Sequence, residues 1–326
     1  MTTKIGKRPL GRSGVLVTEL GFGGGPVGHL DTPDAGTTAR RTVDAAWERG
    51  IRYFDTAPLY GFGRSELRLG AALASRTRDE FVVSSKVGRL LRPPADRVAA
   101  HDLEVVFDYS REGAVASFEE SLERLKLGRI DVLLIHDIDG WTHGDRQPAA
   151  FSAAVDGAYR TLADLKARGL VRAIGLGVNE WRVCRDFAER VPIDCVLLAG
   201  RYTLLEQEAG REFLPFCLER GIGIIVGGPF NSGILATGPI AGARYNYAPA
   251  PPEVLDRVRR IEAVVGRHGV PLPAAALAFP LRHPAVAAVI PGMVSPAEVD
   301  AAATALENPI PDELWRELST EGLVEI

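Results

Sequence analysis

Cysteine is scarce in this 326-residue sequence, and its three copies, Cys184, Cys195 and Cys217, are odd in number and lack CxxC spacing. That excludes a disulfide framework and reads as small buried residues of a reducing compartment. Long hydrophobic runs are also missing. Nowhere do eighteen apolar residues stand together, so no membrane-spanning helix is expected. The opening MTTKIGKRPLGRSG carries no apolar stretch to serve as a signal peptide. Nor does one sign of charge dominate: 38 Lys and Arg stand against 42 Asp and Glu, a net −4, with no cationic run. The electrostatic footprint of a nucleic-acid binder is therefore absent. What remains is an ordinary globular composition, 46% hydrophobic and 25% charged, and the expectation of a cytoplasmic protein acting on a small molecule.

What the sequence does have is alternation. Short apolar runs predict strands over Val17–Phe22, Arg52–Asp55, Phe81–Lys86, Asp131–His136, Ala173–Val178, Cys195–Leu198, Gly223–Val226 and Ala287–Ile290. Amphipathic patterns between them predict helices over Thr38–Arg49, Ser65–Leu73, Glu112–Leu125, Ala158–Arg168, Trp181–Glu189, Ala209–Arg220, Pro252–His268, Pro273–Arg282 and Pro296–Leu306. Gly50, Gly128, Gly169 and Gly221 stand where those helices should stop. Eight strand–helix units favour one domain, residues 1–326, folded as an α/β (β/α)₈ TIM barrel, over an open doubly wound sheet. Arg8–Leu16 suggests a hairpin capping the barrel floor, turning at Arg12-Ser13-Gly14. Long loops follow strands three, four and seven (Gly88–Arg111, "HDIDGWTHGDRQ" and Pro229–Pro251), on the face where barrels build their sites.

Three neighbouring strands end on titratable residues: Asp55, Lys86 and His136. Adjacent strands lie about 5 Å apart, so these three would converge at one rim with Tyr60, five residues beyond Asp55. A phenol titrates near ~10. An ammonium beside it stabilises the phenolate, a carboxylate behind the lysine keeps that charge in place, and a histidine can hydrogen-bond the reacting oxygen. The set suits proton transfer at a carbonyl or alcohol oxygen. No GxSxG turn is present, which argues against acyl transfer.

In this order and at these intervals, "DTAPLYGFGRSE", "SSK" and "LLIHD" resemble the aldo-keto reductase superfamily, from "GRSGVLVTELGFGG" to "VIPGMVSPAEV". The resemblance implies hydride transfer with a nicotinamide cofactor and a catalytic tetrad of Asp55, Tyr60, Lys86 and His136. "LLIHDIDGWTHG", "GLGVNEW", "AGRYTLLEQ" and "GGPFNSGIL" are similar to the branch containing L-fucose or D-threo-aldose 1-dehydrogenases and pyridoxal 4-dehydrogenase. There Tyr60 would take the anomeric hydroxyl proton as hydride leaves C1. Small aldehyde or ketone reduction is the alternative, and a cofactor-binding regulatory subunit the non-enzyme one. By the same resemblance the cofactor would meet Gly23, Gly24, Asp55, Asn179, Gly228, Pro229, Phe230, Asn231, Gly233, Pro291, Gly292, Met293, Ser295 and Glu298. The substrate would meet Tyr60, His136, Asp137, Trp141 and Arg201. The sequence departs from the family at three places: Val178 stands before Asn179, Ala199-Gly200 replace a glutamine, and Gly227 or Gly228 replaces an aromatic residue. In "IPGMVSPAEVDAA", neutral Gly292 and Met293 and acidic Glu298 stand where NADP-preferring members carry cations for the 2′-phosphate. NAD is expected as the preferred cofactor, with NADP admitted second.

Other motifs point less far. "GGGPVG" over 23–28 matches GxGxxG, but Pro26 and the expected lack of a helix directly after it argue against a dinucleotide fingerprint. Its glycines are read as letting cofactor or substrate approach strand one. "HDIDGWTHGD" offers histidines and aspartates without metal-ligand spacing, so no metal is expected; Asp139, Trp141 and His143 read as a loop lining a polar pocket or as a solvated turn. Arg201 and Tyr202 read as substrate contacts or as buried packing. His29, His101, His268 and His283 read as surface or structural.

Overall fold

The computed structural model describes residues 5–94 and 103–325. Its main sheet comprises β1 (Phe22–Gly23), β2 (Tyr53–Asp55), β3 (Val82–Val87), β4 (Val132–His136), β5 (Ala173–Val178), β6 (Cys195–Ala199), β7 (Gly223–Gly227) and β8 (Val286–Ile290). Each pairs in parallel with the next. The first and last then meet: Gly21 N–H donates to Val289 O at 2.9 Å and Gly23 N–H to Pro291 O at 3.0 Å. The circle closes as a (β/α)₈ barrel. Parallel strands are covered on both faces, which is why these segments are apolar almost throughout.

The two-residue period of a strand decides what each side chain faces. Tyr53, Val82, Val132, Leu134, Cys195, Leu197, Ile225 and Ile290 form an inner cluster with Leu10, Val15 and Val17. Phe54, Val83, Leu133 and Ile135 belong to the outer core against the helices. Continuing the phase turns Asp55, Ser84, Lys86 and His136 inward, at the C-terminal mouth. The opposite end is plugged by the hairpin Lys7–Pro9/Leu16–Thr18, whose Leu10, Val15 and Val17 are fully buried. The predicted first strand, Val17–Phe22, is thus two pieces: Leu16–Thr18 pairs within the hairpin, while Leu20 bridges to Val289 of β8 and Phe22–Gly23 pairs with β2.

The surrounding helices are α1 (Ala35–Glu48), α2 (Arg64–Leu73), α3 (Arg111–Leu125), α4 (Tyr159–Ala167), α5 (Trp181–Arg190), α6 (Glu208–Arg220), α7 (Pro252–Arg267), α8 (Leu272–Leu281), α9 (Pro296–Glu307) and α10 (Asp312–Thr320). In α5, Trp181, Cys184, Phe187 and Ala188 face inward at helical spacing while Arg182, Arg185 and Glu189 stay out. Gly221 ends α6 in the left-handed conformation, as expected, but Lys126 rather than Gly128 does so for α3. The sequence reading missed α10, which buries Leu314, Trp315 and Leu318.

The described parts of the three long loops carry regular structure. After β3, Arg89–Arg92 pairs with Glu104–Phe107 as a hairpin. After β4, a helix over Gly140–His143 leads into a nearly continuous helical run from Gln147 through a π-turn at Ala154–Ala158 into α4. At the π-turn, Ala158 N–H donates to Tyr109 O at 2.8 Å, and a Cβ on Gly157 would stand 2.4 Å from that oxygen. After β7, a short helix (Ile234–Thr237) precedes a hairpin, Arg244–Tyr245/Ala248–Pro249, with Asn246 and Tyr247 at its tip.

The barrel wall is tight at Gly175, where a Cβ would stand 1.8 Å from Cys195 O. Gly175→Ala must push β5 from β6. A loss of about 1–3 kcal/mol or more is expected in urea unfolding, the range for overpacking.

Candidate active site

Asp55 and Lys86 are an ion pair 2% and 1% exposed. Lys86 Nζ donates to Asp55 Oδ2 at 2.8 Å, to Oδ1 at 3.0 Å and to Thr56 O at 2.8 Å. Ser84, two residues before Lys86 and in the same phase, donates to Asp55 Oδ1 at 2.6 Å. Gly177 on β5 makes room for the lysine: a Cβ there would lie 3.1 Å from Lys86 Cε. The ammonium stands 4.7 Å from the centroid of the Tyr60 ring. Burial works against its charge, but Asp55 and Tyr60 outweigh burial and its pKa moves up.

Tyr60 reaches this pair because the chain reverses after it. Gly61, Phe62 and Gly63 are three successive left-handed residues (φ 62°, 54° and 82°) leading into α2. A Cβ on Gly61 would stand 2.0 Å from Gly28 O, so glycine is required there. The turn is pinned to β1 and β2 by Thr56 Oγ1 donating to Ser65 Oγ (2.8 Å), Ser65 Oγ to Gly24 O (2.7 Å) and Gly24 N–H to Asp55 O (2.8 Å). The Tyr60 phenol is raised to about 12: burial raises it, Lys86 lowers it, and Asp55 raises it again. The sequence reading took the lysine as the deciding influence; burial outweighs it.

His136 meets Tyr60 edge to face, ring centroids 6.0 Å apart. Burial, then Arg89 and Lys86, hold its pKa well below the usual imidazole range, so the ring is neutral. Its Nδ1 is buried without a partner, while Nε2 lies 3.3 Å from Asp137 Oδ2.

Asp55 and Tyr60 of the tetrad border a cavity of about 360 Å³ lined also by Asn179, Arg201, Asn231 and the bare backbone of Gly23, Gly227, Gly228 and Gly292, among others. Among the lining residues to which the sequence gives no site role are Ser232, Asn246, Tyr247 and His29, the last read as surface or structural. Arg201 donates to Asn179 O at 2.9 Å and to Asn246 Oδ1 at 2.8 Å, so the β7 hairpin is tied across to the loop after β6. Tyr202 instead packs on Phe279, centroids 5.3 Å apart. Asn231 accepts from Thr203 Oγ1 at 2.5 Å and donates to Gly200 O at 3.2 Å. Gly228, Asn231, Ser232 and Gly233 all have positive φ, which curls the backbone of that loop; Pro229 is buried and Phe230 packs on the core.

Several expectations change. Trp141 is 60% exposed and is not among the cavity's lining, because the helix at Gly140–His143 turns it outward. Asp139 and His143 are both buried and neither lines the cavity at Tyr60; His143 instead lines a separate cavity with Asp108, Tyr109, Arg111 and Arg146. Asp139 caps that helix, accepting from Thr142 N–H at 3.0 Å, and accepts from Asn179 N–H at 2.8 Å. Asp137 is buried and paired with Arg89 rather than open to a substrate. Met293 is 1% exposed in the core, so only its backbone faces outward. A short helix, Gly25–His29, does follow Gly24 directly, against expectation, while Gly23 and Gly24 serve close packing: a Cβ on either would stand 2.8 or 2.5 Å from Pro291 O or Asp55 O. Glu298 accepts from Val294 N–H at 2.7 Å and its own N–H donates to Ser295 Oγ at 3.2 Å, a reciprocal cap of α9. Among the described residues, no three His, Cys, Asp or Glu side chains group to hold a metal, and no helix is long and apolar enough to cross a membrane. All three cysteines are free and buried. His101 lies outside the described residues.

The comparisons agree with this geometry. The model of the aldo/keto reductase family matches residues 19–320. Pyridoxal 4-dehydrogenase of Microbacterium luteolum is 42% identical over 98% of both chains. D-threo-aldose 1-dehydrogenase of a Pseudomonas species is 41% identical over 96% of both. Among solved structures, the holo form of aldo-keto reductase AKR11C1 from Bacillus halodurans superposes with a TM-score of 0.74 at 29% identity, covering 98% of this chain and 97% of that one. With a buried Asp–Lys pair, a tyrosine above it and a neutral histidine beside it at the mouth of a closed barrel, this chain belongs to the aldo/keto reductase family.

Proposed function

We propose that the protein oxidises the anomeric carbon of an aldose of the L-fucose or D-threo-aldose type to a lactone, with NAD as the preferred cofactor. The observation that carries the chemistry is the meeting of Tyr60, Lys86, Asp55 and His136, with Asp55 and Tyr60 lining the cavity. The substrate class leans on the likeness to D-threo-aldose 1-dehydrogenase; equal likeness to pyridoxal 4-dehydrogenase makes pyridoxal the second candidate. The cavity fits a nicotinamide ring: its glycine backbone leaves room for a flat group, and Asn179 offers an amide beside it. The oxidised cofactor, when bound, takes the hydride. Tyr60 takes the hydroxyl proton, Lys86 steadies the phenolate, Asp55 holds the lysine, and His136 Nε2 hydrogen-bonds the same oxygen. Asn179, the curled loop at Gly228–Gly233 and the segment Pro291–Glu298 would hold the cofactor. Cytoplasmic location follows from the same reading.

A panel of aldoses, pyridoxal and small aldehydes, run with both cofactors and followed by NADH absorbance, tests this. Turnover of pyridoxal alone would replace the substrate, and cofactor binding with no turnover anywhere would favour a regulatory subunit.

Cofactor choice rests on the absence of Lys and Arg from "PGMVSPAEV" and the charge of Glu298. Glu298→Gln keeps the acceptor for Val294 N–H and removes the repulsion. It should improve NADP affinity about 2- to 5-fold, on the scale of about 0.3–1 kcal/mol for an exposed charge, with NAD affinity little changed. Equal loss for both cofactors would assign Glu298 to capping alone.

A further inference from the structure

Asp137 is held from every side. It follows β4 at φ 44°, a left-handed conformation that costs a non-glycine residue roughly 1–2 kcal/mol. Its N–H donates to Gly177 O at 2.9 Å. Its carbonyl accepts from Tyr109 Oη at 2.8 Å and lies 2.9 Å from His143 Nε2. One carboxylate oxygen pairs with Arg89 Nη2 and stands 3.3 Å from His136 Nε2. The other accepts from Asn179 Nδ2 at 3.2 Å. A strained residue persists where its surroundings over-determine it, often at functional sites.

The chemistry of that carboxylate has a directional consequence. It accepts and cannot donate. Asn179 must therefore turn its NH₂ towards Asp137, which leaves its carbonyl oxygen for the cavity that Asn179 lines. The cavity then favours a ligand bearing an N–H donor at that place.

We infer that Asp137, anchored by Arg89, is a positioning residue. It sets the Asn179 amide so that a primary amide is selected in the cavity. This rests on the reading that a nicotinamide ring, with its carboxamide, occupies the cavity. The groups facing Asp137 are Arg89, Lys86, His136, Asp139, Tyr109 and His143. Burial raises its carboxyl to about 6, with Arg89 and Lys86 opposing and Asp139 assisting. At neutral pH it is ionised and the amide is fixed. Below about 6 it gains a proton, can donate, and the constraint is lost.

The test compares NAD with its 3-acetylpyridine analogue, in which a methyl group replaces the carboxamide NH₂. Affinities are measured by tryptophan fluorescence without substrate. Wild type should bind NAD about 5- to 10-fold more tightly, the worth of one hydrogen bond. Asp137→Asn should bring the ratio near one, Asn179→Ala should do the same, and the double variant should add nothing. In the unaltered protein the ratio should fall as pH drops through about 6, which keeps the test open if Asp137→Asn does not fold. A wild-type ratio of one, or a ratio untouched by Asp137→Asn or by pH, overturns the assignment while leaving the cofactor reading intact. Failure of the wild type to bind either dinucleotide overturns both.

Discussion

Tyr60→Phe is expected to lower turnover by about 10²–10⁴-fold, the range for a general acid–base group, with cofactor affinity nearly unchanged. The substitution removes one oxygen. The ring stays, with Lys86 4.7 Å from its centroid and His136 edge-on at 6.0 Å. None of the hydrogen bonds that pin the turn uses the phenol; they run through Thr56, Ser65 and Gly24. A loss confined to turnover therefore reports the proton. The pH dependence gives a second reading. With the phenol at about 12 through burial, against the pull of Lys86, Tyr60 is protonated at neutral pH in the free enzyme. Oxidation uses the phenolate, so its rate should climb with pH towards the phenol pKa. Reduction uses the phenol and should be flat at neutral pH and decline above it. A cationic ring, when one is bound, would shift both limbs to lower pH. Tyr60→Phe should erase the slope in either direction. Near-normal turnover in this variant would refute the assigned role.

The features that the sequence carried openly are those governed by local periodicity. Tyr53, Val82, Val132 and Leu134 set an inward phase, and Asp55, Lys86 and His136 continue it by two-residue steps. The convergence of the three follows from barrel closure, so strand ends could be read as a site before any coordinates. The hairpin plug and the turn at Tyr60 were legible for the same reason, since their glycines and apolar residues act within a few positions. Ser84 was legible in principle, being one step from Lys86 in phase. Arg89 and Tyr109 were not. Gly88, at φ 100°, breaks the phase, and the pairing of Arg89 with Phe107 spans the loop. Only that non-local pairing brings Arg89 to Asp137. Trp141 is placed by a helix that Asp139 caps, which leaves it 60% exposed with its ring centroid 5.8 Å from Arg201 Cζ, a non-local contact. Glu298 shows a different limit. Ser295 and Glu298 carry the spacing of a capping box, a local reading that competes with the cofactor reading for the same side chain. Charge, rather than hydrogen bonding, is what the two readings leave distinguishable.

Lys86→Met should cost both stability and turnover, and the two losses can be separated. Lys86 supplies three hydrogen bonds, two to Asp55 and one to Thr56 O, in a place closed to water. Methionine fills the space left by the aliphatic stem but leaves Asp55 with Ser84 as its one side-chain donor. Removing one partner of a buried pair costs about 3–5 kcal/mol, because the other charge stays desolvated. Urea unfolding at pH 7 should show that deficit. The charge left on Asp55 is what a second substitution can remove. Asp55→Asn placed in the Lys86→Met background removes the unpaired charge and should restore much of the stability, since replacing both partners of a buried pair is far milder than breaking it. It should not restore turnover, because the phenolate of Tyr60 still lacks its counter-ion. Recovery of both together would mean that the pair serves the fold alone and that Tyr60 works without it.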